Sequence, residues 1–518
     1  MNETSATGHR TYSRRRKPGR PTNLHSAIRA ASVAILIGCF SGSNSLAEIG
    51  PLNIVFILAD DLGWMDVGYQ GNDYYETPNI DALAAEGIVF TDAYAASPLC
   101  SATRASILTG WAPARQHLTG VTPRSRDGDL YKAFNDHEDW RAPPVYMKTG
   151  RSVDIAMQIG QLPLSRVTIA ERLREARYVN GFFGKWHLGP DHDKLPQHQG
   201  FDVNRGGSPL GWAPKFDPYH LANLRDRQRG EYLTDRLTAE AIEFIDEAVS
   251  KQRRFFCYLS LYAVHDPWKS KPEYRKWFAS QDDPDGLHAN PHYAGMIKSL
   301  DDSVGRLVEA LNRHGIAEDT IVIFFSDNGA VEEVPLPDGS TLRVTSNDPL
   351  RGAKAILREG GTRVPMVVRW TGQSPPGRIE RTPVISTDFY PTLLEIAGLE
   401  PAPDNPLDGE SLVPLIRGSG ELEREYLTWF MPHYIHAAGG MDPAAAIRRG
   451  SYRLVKLFGS HAELFDLSKD IGEERDLARE FPEIAAELEG LLDAELAAQN
   501  AYLPRPNPNY RRPAVVAP

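Results

Sequence analysis

Cysteine is scarce in this chain: Cys39, Cys100 and Cys257 are the only three in 518 residues. That is too few for the disulfide framework that holds small secreted domains together. Bilayer-length apolar runs are also missing; the stretch from Ala30 to Phe40 is too short to span a membrane as a helix. Nor is there an excess of positive charge. Lys and Arg number 57 against 68 Asp and Glu, a net of −11, which makes nucleic acid a poor partner. No internal repeat is present. With 41% hydrophobic and 24% charged residues, the composition is that of a folded protein, and the length suits two to four domains.

What is present begins at the N-terminus. Arg14, Arg15, Arg16, Lys17, Arg20 and Arg29 precede the apolar run, and small or polar residues follow it to Ala47. This is the order of a secretory signal. Ser45 and Ala47 suit cleavage before Glu48; the alternative is a lipoprotein box, Leu36-Ile37-Gly38-Cys39, with Cys39 carrying lipid. A twin-arginine route is only weakly suggested. Either main route predicts export, periplasmic or extracellular. Removing residues 1–47 takes the formal charge from −11 to −17, so a polyanionic substrate would need a local basic pocket.

From Asn53 to about Gly398, apolar runs alternate with amphipathic stretches, the pattern of an α/β domain with a largely parallel sheet. Asp81–Gly87, Thr168–Ala176, Tyr232–Ser250 and Ala294–His314 read as helices. Prolines near Pro401–Asp408 suggest a hinge or linker. Beyond it, strand-like Ser451–Leu457 and Glu463–Leu467 and a helical Pro482–Ala498 suggest a small α+β domain. The expected organisation is a signal over 1–47, a catalytic domain over 48–415, a C-terminal α+β subdomain over 416–502, and an irregular proline-rich tail over 503–518.

Four buried-strand patterns finish in polar groups. Asn53–Leu58 runs into Ala59-Asp60-Asp61, and Thr320–Phe325 into Ser326-Asp327-Asn328. Phe255–Tyr262 runs into Ala263-Val264-His265, and Tyr178–Phe183 into Gly184-Lys185-Trp186-His187. If these strands are parallel neighbours, their ends converge on one crevice, where ligands bind in open α/β sheets. Asp60, Asp61, Asp327 and Asn328 then offer oxygens that suit calcium or magnesium better than zinc. A single Asp pair would more simply cap a helix; two acidic strand ends favour the metal. Lys185 is bracketed by Gly184, Trp186 and Gly189, unlike a solvated lysine, and Lys185 and His187 point the same way in extended backbone. His265 alone could equally be a core histidine.

Cys100 opens the segment Cys100-Ser101-Ala102-Thr103-Arg104-Ala105-Ser106-Ile107-Leu108-Thr109-Gly110, which reads as a loop entering a helix. A helix N-terminus and Arg104 one turn on would depress the thiol's pKa, so a plain cysteine nucleophile is expected from physics alone. Cys257, in an apolar strand, reads as a buried free thiol; a Cys100–Cys257 disulfide is the alternative.

This segment resembles the sulfatase signature, C-x-P-x-R-x-x-x-L-T-G, and the strand-end motifs agree with it in type and order from about Asn53 to Leu477. The resemblance implies an alkaline-phosphatase-like fold with a smaller C-terminal domain on an antiparallel sheet. It implies that Cys100 is oxidised to formylglycine (3-oxoalanine) by a maturation enzyme, and that one Ca2+ is held by Asp60, Asp61, Asp327, Asn328 and an oxygen of modified Cys100. Arg104 and Lys185 would hold the formylglycine hydrate, and Lys185, His265 and Lys354 the sulfate. Asp327 could take the attacking hydroxyl's proton, His265 would protonate the departing alcohol, and His187 would release sulfate by deprotonating the remaining hydroxyl. Lys354 precedes a further family-like stretch, Glu359–Pro365, in which Arg363 reads as a structural ion-pair residue. Ala102 replaces the signature's proline; alanine variants suit at least one type of maturase, so modification is expected.

The reaction so implied is sulfate ester hydrolysis on a sulfated small molecule or glycan. Two other readings stand beside it: a formylglycine-dependent phosphodiester or phosphonate ester hydrolase, and a catalytically silent exported glycan-binding protein. Three aromatic- and histidine-bearing loops are candidates to line the leaving-group pocket. They are Trp111–Leu162, with His137, Trp140 and Tyr146, Gly206–His220, and Phe430–His436; ordinary surface packing would explain them as well.

Overall fold

The long apolar runs form the middle of an eight-stranded sheet. In chain order its strands are β1 (Asn53–Ala59), β2 (Ile88–Phe90), β3 (Val179–Gly184), β4 (Val203–Arg205), β5 (Phe255–Ser260), β6 (Thr320–Ser326), β7 (Met366–Trp370) and β8 (Arg378–Glu380). Their spatial order is β8-β2-β7-β6-β1-β5-β3-β4. Every pairing is parallel except the two made by β7. The computed structural model describes residues 52–511 apart from 124–140, 226–227, 284–285, 289, 403–404 and 437–439. The signal segment with Cys39, the loop residues His137 and Trp140, and residues 512–518 of the tail therefore lie outside the described residues.

A parallel strand covered on both faces must be apolar at every position, and β5 and β6 are buried throughout. Alternate residues feed two cores. Ile54, Phe56, Leu58, Tyr258 and Phe325 join Ala102, Ala105, Phe389 and Leu393 on one face. Val55, Ile57, Cys257, Leu259 and Phe324 join Leu83, Leu237 and Leu300 on the other. The first face is covered by α2 (Cys100–Thr109), α3 (Ile169–Glu175) and α6 (Phe389–Ile396); the second by α1 (Pro78–Glu86), α4 (Leu233–Ser250) and α5 (Pro291–Arg313). Helices α1 and α5 start earlier than the sequence suggested, because Pro78 and Pro291 occupy first-turn positions where a missing N–H costs nothing. Thr168 and Glu171 form the capping box that starts α3.

The proline-rich stretch, expected to be a hinge or linker, is fastened to the segment that follows α2. Asp408 receives Arg115 at 2.6 Å and the Ala112 amide at 2.8 Å, and Asn405 receives the Trp111 indole at 2.7 Å. Beyond it, β9 (Tyr426–Met431), β10 (Ala444–Arg449), β11 (Tyr452–Leu457) and β12 (Ala462–Asp466) form an antiparallel meander. Helix α7 (Pro482–Ala498) lays Leu488, Leu492 and Leu496, one turn apart, on one face of that meander. The other face packs Trp429, Met431 and Val455 against Tyr94, Ala96 and Leu99, the approach to Cys100. Arg505 and Pro506 of the tail pair with Val153–Ala156.

Charged groups are buried where the two sheets meet. Glu359 accepts from Arg453 of β11 and from Tyr94 at 2.8 Å, and its amide donates to Glu473 at 2.7 Å. Arg363, as expected, is an ion-pair residue, 3.0 Å from Asp92 and 3.3 Å from Glu359. Burial pushes the Glu473 carboxyl up to about 7, although Arg453 pulls the other way. Folded Glu473 thus keeps its proton to higher pH than the unfolded side chain does. The native state binds more protons in that window, so stability falls as pH rises from about 4.5 towards 7. Glu473→Gln is expected to flatten this decline by about 1 kcal/mol or more, read as urea midpoints at pH 5 and pH 8.

Candidate active site

The register of the sheet brings the four polar strand ends level. Ala59 pairs with Ser326, Leu58 with Ser260, and Ser260 with Gly184, so Asp60, Asp327 and Lys185 leave the sheet side by side. The approach at β3 is tight: a Cβ on Gly184, whose φ is +116°, would lie 1.8 Å from the Ser260 carbonyl oxygen. Only glycine fits there.

Helix α2 begins at Cys100 and is buried along its whole length. Arg104, one turn in, reaches Asp327 at 2.7 Å, Ser260 Oγ at 2.6 Å, the Lys185 carbonyl at 2.9 Å and Asp60 at 3.4 Å. Lys185 Nζ donates to both Asp60 oxygens at 2.7 and 2.8 Å. Lys354 Nζ donates to Asp61 Oδ2 at 2.8 Å, and His265 Nε2 lies 3.7 Å from the same oxygen. Asp61 Oδ1 receives the Asn328 amide at 2.7 Å, and the Asp61 amide donates to Asp327 at 3.1 Å. His187 N donates to Ser208 O at 3.3 Å. Asp60, Asp61, Arg104, Lys185, His265, Asp327, Asn328 and Lys354 therefore meet in one cluster, although they span positions 60 to 354.

Ligand-type atoms of Asp60, Asp61, Cys100 and His265 lie within 4.8 Å of one another. Beside them Asn328 Oδ1 is buried with no hydrogen-bond partner, a costly arrangement unless something accepts its lone pairs. Carboxylate and amide oxygens of this kind fit a hard divalent cation. Burial opposes ionisation of Asp60, but Lys185, His265, Arg104 and Lys354 outweigh it and hold the carboxyl well below its usual range. Burial raises Asp327 to about 6 despite Arg104. Two neighbouring carboxyls are thus driven apart by their surroundings. Burial, aided by Lys185 and Arg104, holds His187 well below the usual histidine range, as a neutral imidazole.

Cys100 corrects one expectation. Burial pushes its thiol up to about 11, and Lys185 and Lys354 offset this only in part. The helix-terminus argument failed because Arg104 is committed to Asp327 and the thiol is 1% exposed. A plain thiolate nucleophile is therefore disfavoured. Cys100 and Cys257 are both free, so the alternative disulfide is absent. In protein made without modification of Cys100, neither thiol is expected to alkylate appreciably at pH 7 until the chain unfolds, a pattern that iodoacetamide labelling and peptide mass spectrometry would show.

Sequence reading missed Lys215. Its Nζ donates to the Tyr262 carbonyl at 2.8 Å, and burial lowers it to about 8. It stands in Gly211-Trp212-Ala213-Pro214-Lys215-Phe216, a setting of small and apolar neighbours like the one that singled out Lys185. Ser260, which ties Arg104 to the Lys185 carbonyl, was also missed. Of the candidate pocket loops, Gly206–His220 packs on the His187 ring, 2.5 Å from where a Cβ on Gly211 would lie, and Thr122 of Trp111–Leu162 donates to the His187 carbonyl at 2.8 Å. His433 bonds Thr119 at 2.8 Å, and Tyr434 bonds the Val153 amide at 3.0 Å, tying the other two loops to each other.

The sequence matches the sulfatase family model over residues 52–399, and a model described as N-sulphoglucosamine sulphohydrolase, C-terminal, over residues 353–499. The chain belongs to the sulfatase family. It is 31% identical to N-acetylgalactosamine-6-sulfatase of Mus musculus across 77% of this chain and 72% of that protein. It is likewise 31% identical to arylsulfatase A of Homo sapiens across 89% of this chain and 91% of that protein. Among solved structures, Ps i-CgsB in complex with k-i-k-neocarrahexaose superposes with a TM-score of 0.69 at 29% identity, covering 86% and 93% of the two chains. The phosphonate monoester hydrolase of Agrobacterium radiobacter shares the fold, with a TM-score of 0.58 at 21% identity over 89% and 100%. This sulfatase is accordingly a hydrolase of sulfate esters with the alkaline-phosphatase-like fold. Among its described residues, no helix is long and apolar enough to cross a membrane.

Proposed function

We propose that the chain hydrolyses sulfate esters of carbohydrates, using formylglycine made from Cys100 as the nucleophile beside one Ca2+ held by Asp60, Asp61, Asp327, Asn328 and residue 100. The observation that carries this reading is the meeting of Cys100 with Asp60, Asp61 and His265 within 4.8 Å, next to the unpartnered Asn328 oxygen. The buried, weakly acidic thiol supports a modified side chain over a thiolate. The carbohydrate assignment draws on the names of similar proteins, a galactosamine sulfatase and a structure in complex with a neocarrahexaose. Export follows from the N-terminal signal pattern.

Hydrated formylglycine supplies a hydroxyl for attack at sulfur and a second hydroxyl for later release of sulfate, and a calcium ion supplies charge against the sulfate oxygens. Lys185 and Lys354, both largely buried, add fixed ammonium charge where negative charge develops. Arg104 keeps Asp60 and Asp327 in place without itself needing to reach substrate. His265, partly buried at the edge of the cluster, gives a proton to the departing alcohol oxygen. Neutral His187 has a buried Nδ1 with no partner, so its ring can accept the proton whose removal expels sulfate.

Two measurements test the reading. Mass spectrometry of the Cys100 peptide, from protein made beside a maturation enzyme, should show an aldehyde in place of the thiol. That protein should turn over 4-nitrophenyl sulfate far faster than bis(4-nitrophenyl) phosphate. An intact thiol in fully active enzyme, or preference for the phosphate diester, overturns it.

A further inference from the structure

Trp212 is 44% exposed, yet it follows directly on Gly211, the residue that packs against the His187 ring. A large aromatic left in water beside an active site is informative where a small exposed one is not. Its indole is also idle: among the described residues it makes no hydrogen bond and no ring contact. Four other tryptophans spend theirs. The indoles of Trp64, Trp111, Trp277 and Trp429 all donate to protein oxygens, and Trp277 does so while 50% exposed.

The loop that presents Trp212 is fastened on both sides. Before it, the Gly206 carbonyl receives the Tyr262 hydroxyl at 3.1 Å, its amide donates to Asn223 at 3.2 Å, and Ser208 O holds the His187 amide. After it, Ala213 is fully buried, Lys215 Nζ grips the Tyr262 carbonyl, and the Leu233 amide donates to Lys215 O at 2.8 Å. An aromatic held on such a frame loses little entropy on meeting a ligand. On the reading proposed above, Lys185, Lys354 and His265 engage the sulfate end of a substrate, and this loop borders the same site through Gly211 and the His187 ring, so a ring carried on the ester oxygen can meet it on the way to solvent.

We propose that Trp212 is a specificity-determining residue of this sulfatase: its indole is a flat wall against which the ring bearing the sulfate ester lies. The proposal rests on hydrolysis occurring at the Cys100 site. The shared ligand chemistry is a ring with an apolar face, which either a sugar or an aryl group provides.

The test is steady-state kinetics of the matured enzyme with 4-nitrophenyl sulfate and with N-acetylgalactosamine 6-sulfate, alongside inhibition by inorganic sulfate, which carries no ring. Trp212→Ala is expected to raise KM roughly three- to tenfold for the ring that stacks, with kcat and sulfate inhibition close to wild type. Trp212→Phe restores most of the loss, and Trp277→Ala changes nothing. A rise confined to one substrate identifies the ring as sugar or aryl. Unchanged KM for both, or a KM increase matched by weaker sulfate inhibition, overturns the proposal. Wild-type enzyme that hydrolyses neither ester would instead fail the underlying reading.

Discussion

Cys100→Ala is expected to lower kcat/KM by roughly 10⁴-fold or more, the scale on which removal of an enzyme's nucleophile is felt. The chain should still fold. Residue 100 is in a buried first turn whose neighbours are ordered by Arg104, Asp327 and Ser260, and alanine suits a helix. Cys100→Ser is expected to behave differently. A serine hydroxyl can attack sulfur and release one equivalent of alcohol, but it has no second hydroxyl through which to expel sulfate, so a burst should be followed by arrest. Rapid-mixing measurement of nitrophenol release distinguishes the two variants. Steady turnover by Cys100→Ala would remove position 100 from the chemistry.

Asp61→Asn is expected to cost about 10³-fold in kcat/KM and to abolish the stabilisation that calcium gives. Asp61 is the hub of the site, 2.8 Å from Lys354, 2.7 Å from Asn328 and 3.7 Å from His265. Neutralising it weakens the cation and unpairs Lys354 at once. Wild-type protein should gain about 2.7 kcal/mol at a calcium concentration a hundred times Kd, seen as a rise in Tm that EDTA reverses. The variant should show little of that rise. An equal calcium-dependent Tm shift in both proteins would place the ion elsewhere.

The central strands were legible because burial on both faces forces continuous apolar runs, and because those runs stop abruptly at Asp60, Lys185, His265 and Asp327. The outer strands β2, β4 and β8, three residues each, are too short to impose a pattern, so the sheet's full width was not readable. The chemistry of Cys100 was misjudged for a related reason. A helix terminus and a nearby arginine are local features, whereas burial is set by residues that arrive from far along the chain. Lys215 escaped notice because its loop has no strand whose end could mark it. Arg104 illustrates the converse: its place one turn from Cys100 was evident, but its partners, Asp60 and Asp327, became clear only once the sheet aligned them.

The burial of Cys100 and the charged seam between the sheets together constrain the order of events during synthesis. The site needs Lys354, and the loop carrying Lys354 is tied through Glu359 to Arg453 and Glu473. A ribosome adding about 5–20 residues per second takes roughly 20–75 s to travel from Cys100 to Glu473. Throughout that interval the nascent chain lacks the last of the parts that complete the surroundings of position 100. On the reading given above, this is the time in which a modifying enzyme can reach the thiol, and completion of the last sheet ends it.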